Sequence, residues 1–381
     1  MVFFKRLTGF IVAFSVMFSV VMAHSRDVSA LTAKSFVLME SSTGQVLLEN
    51  NADAPLPPAS ITKIMTILLI MEDIKAGKIG YDDMVTASER AKSMGGSTIF
   101  LESGERMSVY DLLKGIVVAS GNDASVAMAE HLEGSVEAFV ERMNKRAAEL
   151  GMVNTVFMNT NGLPAEGHKM SARDIAIVSN ELLKHKEIFE FTKIWTDSLR
   201  NGEFQLANTN RLIRFYEGAN GLKTGSTDEA GCCISATAER NGMQLIAVVM
   251  GCPTSNDRFS DAKALLDYGF SGYSLWYGPD INTSLGEIEI KKGREEKVGL
   301  APESNMYALI RRSDAGKAEL VVETDEFITA PVSKGQVLGR VRCIVGEETV
   351  AEVNLVANAD VSRIGFWQLQ KKMLGLLLRA V

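Results

Sequence analysis

The chain has 381 residues, of which 46% are hydrophobic, and a formal net charge of −7. This length allows one large core and a second, smaller one. The mildly acidic balance gives no indication of a nucleic-acid partner. The four cysteines lack CxxC spacing and the four histidines lack ligand spacing, so we expect neither a metal nor a cofactor.

The N-terminus has the pattern of a secretory signal peptide. Lys5 and Arg6 precede an apolar run over residues 7–23, and small residues follow at 21–23 and 28–30. We therefore predict a signal peptide over residues 1–30. An uncleaved membrane anchor remains an alternative, because the run is close to the shortest length that spans a bilayer. Both interpretations place the folded part outside the cytoplasm, at the outer face of the membrane or elsewhere in the cell envelope.

The first folded elements are two predicted strands and a helix. Apolar runs at residues 35–40 and 45–49 flank a turn-rich segment, which favours a hairpin. Pro57 and Pro58 then stand where a helix can begin, and the apolar run 64–70 would hold that helix in a core. Ser60 would lie in its first turn, at the positive end of the helix dipole.

Ser60 and Lys63 are spaced as a nucleophile and its base. Residues three apart share one face of a helix. A serine hydroxyl becomes nucleophilic when a neighbour accepts its proton, and a desolvated lysine can do so as the neutral amine. Taken alone, Ser-x-x-Lys also describes a surface serine and lysine on an ordinary helix.

A second motif, Ser120-Gly121-Asn122, lies between two predicted helices. The apolar spacing predicts helices over about 108–118 and 123–132, and a loop at such a junction can direct Ser120 and Asn122 into one cleft. The alternative is a plain helix break. Two more helices, at 135–150 and 171–184, are separated by a turn-rich stretch at 159–164.

The third motif, Lys223-Thr224-Gly225, falls in the first of three predicted strands, at 218–227, 230–239 and 243–251, which precede a closing helix at 260–269. Gly225 would let a substrate backbone approach, and Lys223 and Thr224 can bind a carboxylate. A hairpin around residues 240–242 would also bring Cys232 close to Cys252. One disulfide there is an alternative to buried thiols.

The three motifs in this order resemble those of penicillin-binding proteins and serine β-lactamases, and most closely the low-molecular-mass D-alanyl-D-alanine carboxypeptidases. Longer matches at 120–125, 161–164 and 221–226 support the narrower resemblance. It implies an α/β (α+β) catalytic domain over residues 31–275, with an antiparallel sheet flanked by helices and an all-α lobe. Several family members have a histidine directly after the third motif, where this chain has Ser226.

The remainder of the chain changes character. Short alternating runs after Trp276 predict a small β-sandwich domain over 276–358, and the stretch 330–339 resembles the C-terminal domain of the same carboxypeptidases. We expect a spacer or a partner surface there. Residues 359–381 predict an amphipathic helix on a membrane surface, and packing on the protein itself is the alternative.

The resemblance implies a mechanism and a set of site residues. Ser60 would attack the terminal D-Ala-D-Ala bond of a peptidoglycan stem peptide, with Lys63 as base and Ser120 as proton relay. The backbone amides of Ser60 and Ser226 would form the oxyanion hole. The substrate would be bound by Asn122, Lys223, Thr224, Gly225, Ser226 and Arg258. β-Lactams would acylate the same serine.

Three rival functions share these motifs. A β-lactamase needs rapid deacylation, for which Glu166 is the only tempting residue and its surroundings do not match the expected loop. A non-catalytic β-lactam sensor would need an output domain, which we do not expect here. A transpeptidase acting on a second stem peptide remains open.

Overall fold

The computed structural model describes residues 28–368 and residue 370. The predicted signal peptide, apart from residues 28–30, and most of the predicted C-terminal helix lie outside the described residues. In the described part, no helix combines the length and hydrophobicity that crossing a bilayer requires.

Helices and strands alternate along the first two thirds of the chain, and strands dominate the last third. The α-helices are α1 (Lys63–Lys75), α2 (Glu89–Lys92), α3 (Val109–Val118), α4 (Asn122–Glu133), α5 (Val136–Glu149), α6 (Ala172–Leu182), α7 (Phe189–Thr192), α8 (Leu212–Phe215) and α9 (Ser255–Gly272). Short 3-10 helices cover Val28–Ala30, Ala59–Thr62, Lys186–Ile188, Arg200–Gly202 and Arg312–Lys317.

The strands of the catalytic part are β1 (Ser35–Glu40), β2 (Val46–Asn50), β3 (Met84–Thr86), β4 (Arg106–Ser108), β5 (Thr196–Leu199), β6 (Phe204–Ala207), β7 (Ala219–Thr227), β8 (Gly231–Arg240) and β9 (Met243–Cys252). Those that follow are β10 (Tyr273–Tyr277), β11 (Glu287–Lys291), β12 (Lys297–Pro302), β13 (Tyr307–Arg311), β14 (Ala318–Thr324), β15 (Phe327–Thr329), β16 (Val337–Val345) and β17 (Glu348–Ala357).

A five-stranded antiparallel sheet in the order β2-β1-β9-β8-β7 forms the centre of the catalytic part. Every residue of β9 is buried, because α9 packs against one face of the sheet and α6 against the other. Two apolar cores result, one on each face. The sheet leaves β7, the strand of the third motif, at its edge.

The helical lobe packs around α1, which is buried on all sides from Lys63 to Met71, as expected of a helix enclosed by others. The start of each lobe helix is set by a serine cap. The side chains of Ser108, Ser135 and Ser171 accept hydrogen bonds from backbone N–H groups in the first turns of α3, α5 and α6. These caps explain why the helix ends are well predicted from sequence.

The C-terminal part has its own core beneath a six-stranded sheet in the order β14-β16-β17-β12-β11-β15. Strand β10 pairs with β13, so the predicted boundary at 275/276 falls inside β10. Arg312 donates from Nε to the carbonyl oxygens of Phe270 and Tyr273, which ties the two parts together. The all-β expectation for this region is confirmed.

Several sequence predictions need correction. Ser60 lies in a 3-10 turn, and the α-helix begins only at Lys63. The short hairpins β3–β4 and β5–β6 were not predicted, because their strands have only three or four residues and little apolar alternation. Cys232 does lie opposite Cys252 in the sheet, yet both are free thiols, so the disulfide alternative is wrong in this structure.

Candidate active site

Ser60 projects from a strained turn that is braced by its neighbours. Ala59 has φ +48°, a left-handed conformation that is rare for a residue with a side chain. The Thr62 hydroxyl donates to the Ala59 carbonyl over 2.9 Å. Such strain persists only where the surroundings enforce it, and it concentrates at functional sites.

His168 stabilises the same turn, Ala59–Thr62, through a contact with Thr62. Its Nδ1 accepts a hydrogen bond from the Met158 N–H over 2.9 Å, so its ring proton is on Nε2, 2.7 Å from the Thr62 hydroxyl oxygen. Burial lowers the pKa of His168 to about 4, which keeps the ring neutral. Sequence reasoning assigned His168 no function.

Lys63 is fully buried beside the nucleophile. Its Nζ lies 3.0 Å from Ser60 Oγ, 2.6 Å from Asn122 Oδ1 and 2.7 Å from the carbonyl oxygen of Asn161. Burial, reinforced by the positive charge of Lys223, lowers the pKa of Lys63 well below its ordinary value. Asp123 opposes this shift.

The lowered pKa of Lys63 favours the neutral amine, and its three contacts can all be satisfied in that state. A neutral amine has two N–H groups and one lone pair. The carbonyl oxygens of Asn122 and Asn161 can accept only from N–H groups, which leaves the lone pair directed at the Ser60 hydroxyl. In this state the Ser60 O–H donates to Lys63, which is the starting geometry for general-base activation.

Asn161 and Asp123 are two further site residues to which sequence reasoning assigned no role. Asn161 contributes a backbone carbonyl from the turn at 159–164, which carries no side-chain signal. Asp123 is buried, and its carboxylate accepts from the N–H groups of Ile99, Leu101 and Ala124. Its place directly after Ser120-Gly121-Asn122 was the one available clue.

Ser120 lies in the tight link between α3 and α4, and Asn122, the first residue of α4, contacts Lys63. Ser120 has φ +63°, a second left-handed residue in the site. Asn122 holds Lys63 with Oδ1 and donates from Nδ2 to the Gly95 carbonyl over 2.7 Å. No hydrogen-bond partner of the Ser120 hydroxyl is found among residues 28–368.

Lys223 and Thr224 lie on β7, almost completely buried. Burial and the nearby Arg258 lower the pKa of Lys223 to about 7. The Lys223 amine donates to the Thr224 carbonyl over 2.9 Å, and the Thr224 hydroxyl donates to Thr209 Oγ1 over 2.7 Å. Thr209 precedes α8 and was not predicted to take part.

Gly225 is required because the nucleophile's turn lies against β7. A Cβ on this glycine would stand 2.8 Å from the Ser60 nitrogen and 3.0 Å from the Ile61 nitrogen, too close for backbone atoms to tolerate. The glycine thus allows close approach of Ser60, whereas the sequence prediction concerned approach of the substrate. Ser226, the next residue, is exposed.

Arg258 supports β7 from α9, and its side chain is buried. One of its terminal nitrogens donates to the Gly225 carbonyl over 3.0 Å, and the other to Ser255 Oγ over 3.2 Å. Only 8% of the residue is exposed. Its predicted contact with the terminal carboxylate of a substrate stays a prediction.

The predicted site residues therefore converge, with Ser60, Lys63 and Asn122 in direct contact and the β7 residues beside them. Within residues 28–368 no cluster of three or more histidine, cysteine, aspartate or glutamate side chains could hold a metal ion. The arrangement is suited to nucleophilic attack by a serine on a carbonyl carbon.

Comparison with known proteins identifies two matching family models. The model for D-alanyl-D-alanine carboxypeptidases matches residues 21–254, and the model for the C-terminal domain of penicillin-binding protein 5 matches residues 280–363. The D-alanyl-D-alanine carboxypeptidase DacF of Bacillus subtilis is 45% identical over 347 residues, which cover 90% of this chain and 89% of that one.

Solved structures agree with the family models. Penicillin-binding protein 5 of Haemophilus influenzae superimposes with a TM-score of 0.79 at 34% identity, over 87% of this chain and 98% of that one. Penicillin-binding protein D2 of Listeria monocytogenes, in an ampicillin-bound form, matches 63% of this chain and 98% of its own, with a TM-score of 0.58 at 32% identity.

Proposed function

Because the chain belongs to the D-alanyl-D-alanine carboxypeptidase family, we propose that Ser60 carries out the peptidase reaction, removing the terminal D-alanine from peptidoglycan pentapeptide stems. The observation that carries this proposal is the contact between Ser60 Oγ and a buried Lys63 whose two N–H groups are both engaged elsewhere. Membership of the family makes the chain a serine peptidase and a penicillin-binding protein.

Acylation begins when Ser60 Oγ attacks the carbonyl carbon of the penultimate D-alanine. Lys63 accepts the hydroxyl proton, and Ser120 passes a proton to the leaving nitrogen, so that D-alanine departs as a neutral amine. The backbone N–H groups of Ser60 and Ser226 bind the oxygen that becomes negative. The Ser120 hydroxyl, which has no hydrogen-bond partner in the described part of the chain, supports this relay.

Water then hydrolyses the acyl-enzyme and restores Ser60. In this scheme Lys223 has two effects, since its positive charge favours neutral Lys63 and also attracts an anionic substrate. Asn122, which holds Lys63 in the free enzyme, would bind the substrate backbone. Thr224 and Gly225 form the adjacent groove wall.

β-Lactams would acylate Ser60 because they resemble the end of the substrate. The ampicillin-bound relative supports this proposal. A β-lactamase is less well supported, because Glu166 is exposed and makes no hydrogen bond or ion pair with the other described residues. The geometry does not favour hydrolysis over transfer to a second stem peptide.

We also propose that the enzyme acts in the cell envelope, at the outer face of the cytoplasmic membrane. The support is the signal-like N-terminus and the family's peptidoglycan substrate. The described start of the C-terminal helix exposes Phe366 and Trp367, an aromatic pair that suits a membrane surface.

The test is release of D-alanine from a pentapeptide, with fluorescent penicillin labelling as a second readout. We expect Ser60→Ala to abolish both, because no other group can form the acyl-enzyme. Ser271→Ala, an exposed hydroxyl at the end of α9 that bonds only the Tyr268 carbonyl, serves as control and should retain both. Wild-type protein that releases no D-alanine would refute the proposal.

A further inference from the structure

An unbalanced group of cations surrounds β7. Lys223, Arg211 and Arg258 lie along or beside this strand, and within residues 28–368 none of them is within ion-pair distance of a carboxylate. The charges acting on Lys223 and Arg258 include other cations, Arg258 and Arg211 respectively, and no carboxylate. Uncompensated positive charge at a cleft attracts an anionic ligand.

Two of these three cations are poorly placed to hold an anion in solution. Lys223 is buried and donates a hydrogen bond to the Thr224 carbonyl, and Arg258 uses its terminal nitrogens to hold the Gly225 carbonyl and Ser255. The pKa of Lys223 near 7 also means that its charge is only partly present at neutral pH. A permanently charged and exposed donor is needed, and a guanidinium meets both conditions.

Arg211 is that donor. It is exposed, and its position beside β7 is fixed by the two residues before it. Thr209 accepts from the Thr224 hydroxyl over 2.7 Å, and Asn210 donates from Nδ2 to the Gly221 carbonyl over 2.8 Å. The backbone that carries Arg211 is therefore attached to β7 on both sides of Lys223.

The Arg211 side chain extends toward the Gly225 end of the strand. Its guanidinium carbon lies 5.9 Å from the centre of the Phe259 ring, and that of Arg258 lies 4.9 Å from the same ring. Arg258 in turn contacts the Gly225 carbonyl. Both guanidinium groups therefore lie against Phe259, near the Gly225 end of β7.

We propose that Arg211 binds the terminal carboxylate of the substrate, and that Arg258 positions β7 without touching it. This proposal rests on the carboxypeptidase function proposed above, and it assigns the specificity for a free C-terminus to a residue that sequence reasoning did not select. A planar guanidinium can donate two parallel hydrogen bonds to a carboxylate, which favours it over an ester or an amide.

The experiment compares a peptide ending in D-alanyl-D-alanine with the same peptide as its C-terminal amide. We expect Arg211→Gln to lower kcat/KM for the free acid about 10- to 100-fold, mainly through KM, and to leave the amide unaffected, which is the size expected of charged hydrogen bonds. Arg211→Lys should recover part of the loss, because it keeps the charge without the planar pair of donors.

Arg214→Gln is the matched control, since Arg214 is exposed on the short helix α8, which Arg211 directly precedes, and its guanidinium lies over Trp195 and Phe215. It should behave as wild type with both peptides. An equal loss on acid and amide in Arg211→Gln, or no loss on the acid, would overturn the assignment.

A second readout separates this proposal from the carboxypeptidase function. A penicillin with a free carboxylate and its methyl ester are compared for their rate of acylating Ser60. We expect Arg211→Gln to reduce the preference for the free carboxylate even in a protein that releases no D-alanine. An unchanged preference would count against Arg211 whatever the outcome of the peptidase assay.

Discussion

The protonation state of the Lys63 amine decides whether the site is active. The amine is buried among two carbonyl oxygens and a hydroxyl, and the two nearest charges act on it in opposite directions, Lys223 lowering its pKa and Asp123 raising it. Because only the neutral amine can accept the Ser60 proton, the acylation rate should fall as the pH drops through the pKa of Lys63.

Because the two charges have opposite effects on the pKa of Lys63, we expect removing each of them to shift the pH dependence of acylation in opposite directions. Asp123→Asn removes the charge that raises the pKa of Lys63, so the acid limb of the acylation rate should move to lower pH. Lys223→Gln removes the charge that lowers it, so the limb should move to higher pH. The measurement is the rate of penicillin acylation against pH.

Asp53→Asn is a suitable control, because Asp53 pairs with Arg173 on the surface and has no contact with the site. Shifts of the same sign in the two site variants would show that Lys63 is not the titrating base.

The sequence predicted those site residues that lie only a few positions apart in the chain. Ser60 and Lys63 are three positions apart, so any local helical turn brings them together. The Asn161 contact comes from a backbone carbonyl and that of His168 from a tertiary neighbour, so neither leaves a local pattern. Arg211 likewise has no local pattern, because its position is set by contacts of the preceding residues with β7, which is distant in sequence.

At the level of elements, the site depends on how closely the 3-10 turn over Ala59–Thr62 approaches β7. We expect Gly225→Ala to lower the acylation rate of Ser60 about 100-fold or more, because the added Cβ would displace the backbone at Ser60 and Ile61. Circular dichroism should show the fold retained, since the change affects one contact between a turn and a strand.

Gly272→Ala provides the control, because a Cβ at this helix-end glycine meets no atom within 4 Å. It should acylate like wild type. Wild-type acylation by the Gly225→Ala protein would mean that the turn has more freedom than the structure gives it.

Most of the longer elements of the catalytic part were predicted nearly to their ends, but α9, observed over Ser255–Gly272, was predicted only over 260–269, and the short elements were missed. Helices such as α5 and α6 combine an apolar face with a serine cap, and both features indicate the same residue as the start of the helix. Strand β5 has four residues, Thr196–Leu199, and forms only through pairing with β6. Its stability comes from tertiary contacts, which local sequence does not encode.

On the scale of the whole molecule, two bodies with separate apolar cores share one chain. The core of the C-terminal sheet contains no residue of the catalytic cores. The connections between the bodies include the β10–β13 pairing and the hydrogen bonds of Arg312. The family models divide the chain in the same place, between residues 254 and 280.

We therefore expect two thermal transitions in calorimetry, and acylation by penicillin should raise only one of them. A ligand that is attached to the native catalytic part stabilises that part alone. Ser60→Ala, treated in the same way, should show no shift. A single transition that moves as a whole on acylation would show that the two bodies unfold as one cooperative unit.

Strand β7 ends the central sheet, so along one of its sides no other strand of the described residues pairs with it. Unpaired N–H and C=O groups along such a side can accept an extended polypeptide of almost any sequence as an additional strand. A stem peptide would first form main-chain hydrogen bonds with β7. The configuration of its terminal residues would be recognised only where the C-terminus of the peptide reaches Ser60. At high protein concentration the same unpaired edge could pair with a second copy of the protein. A bound peptide would occupy the edge and suppress this association.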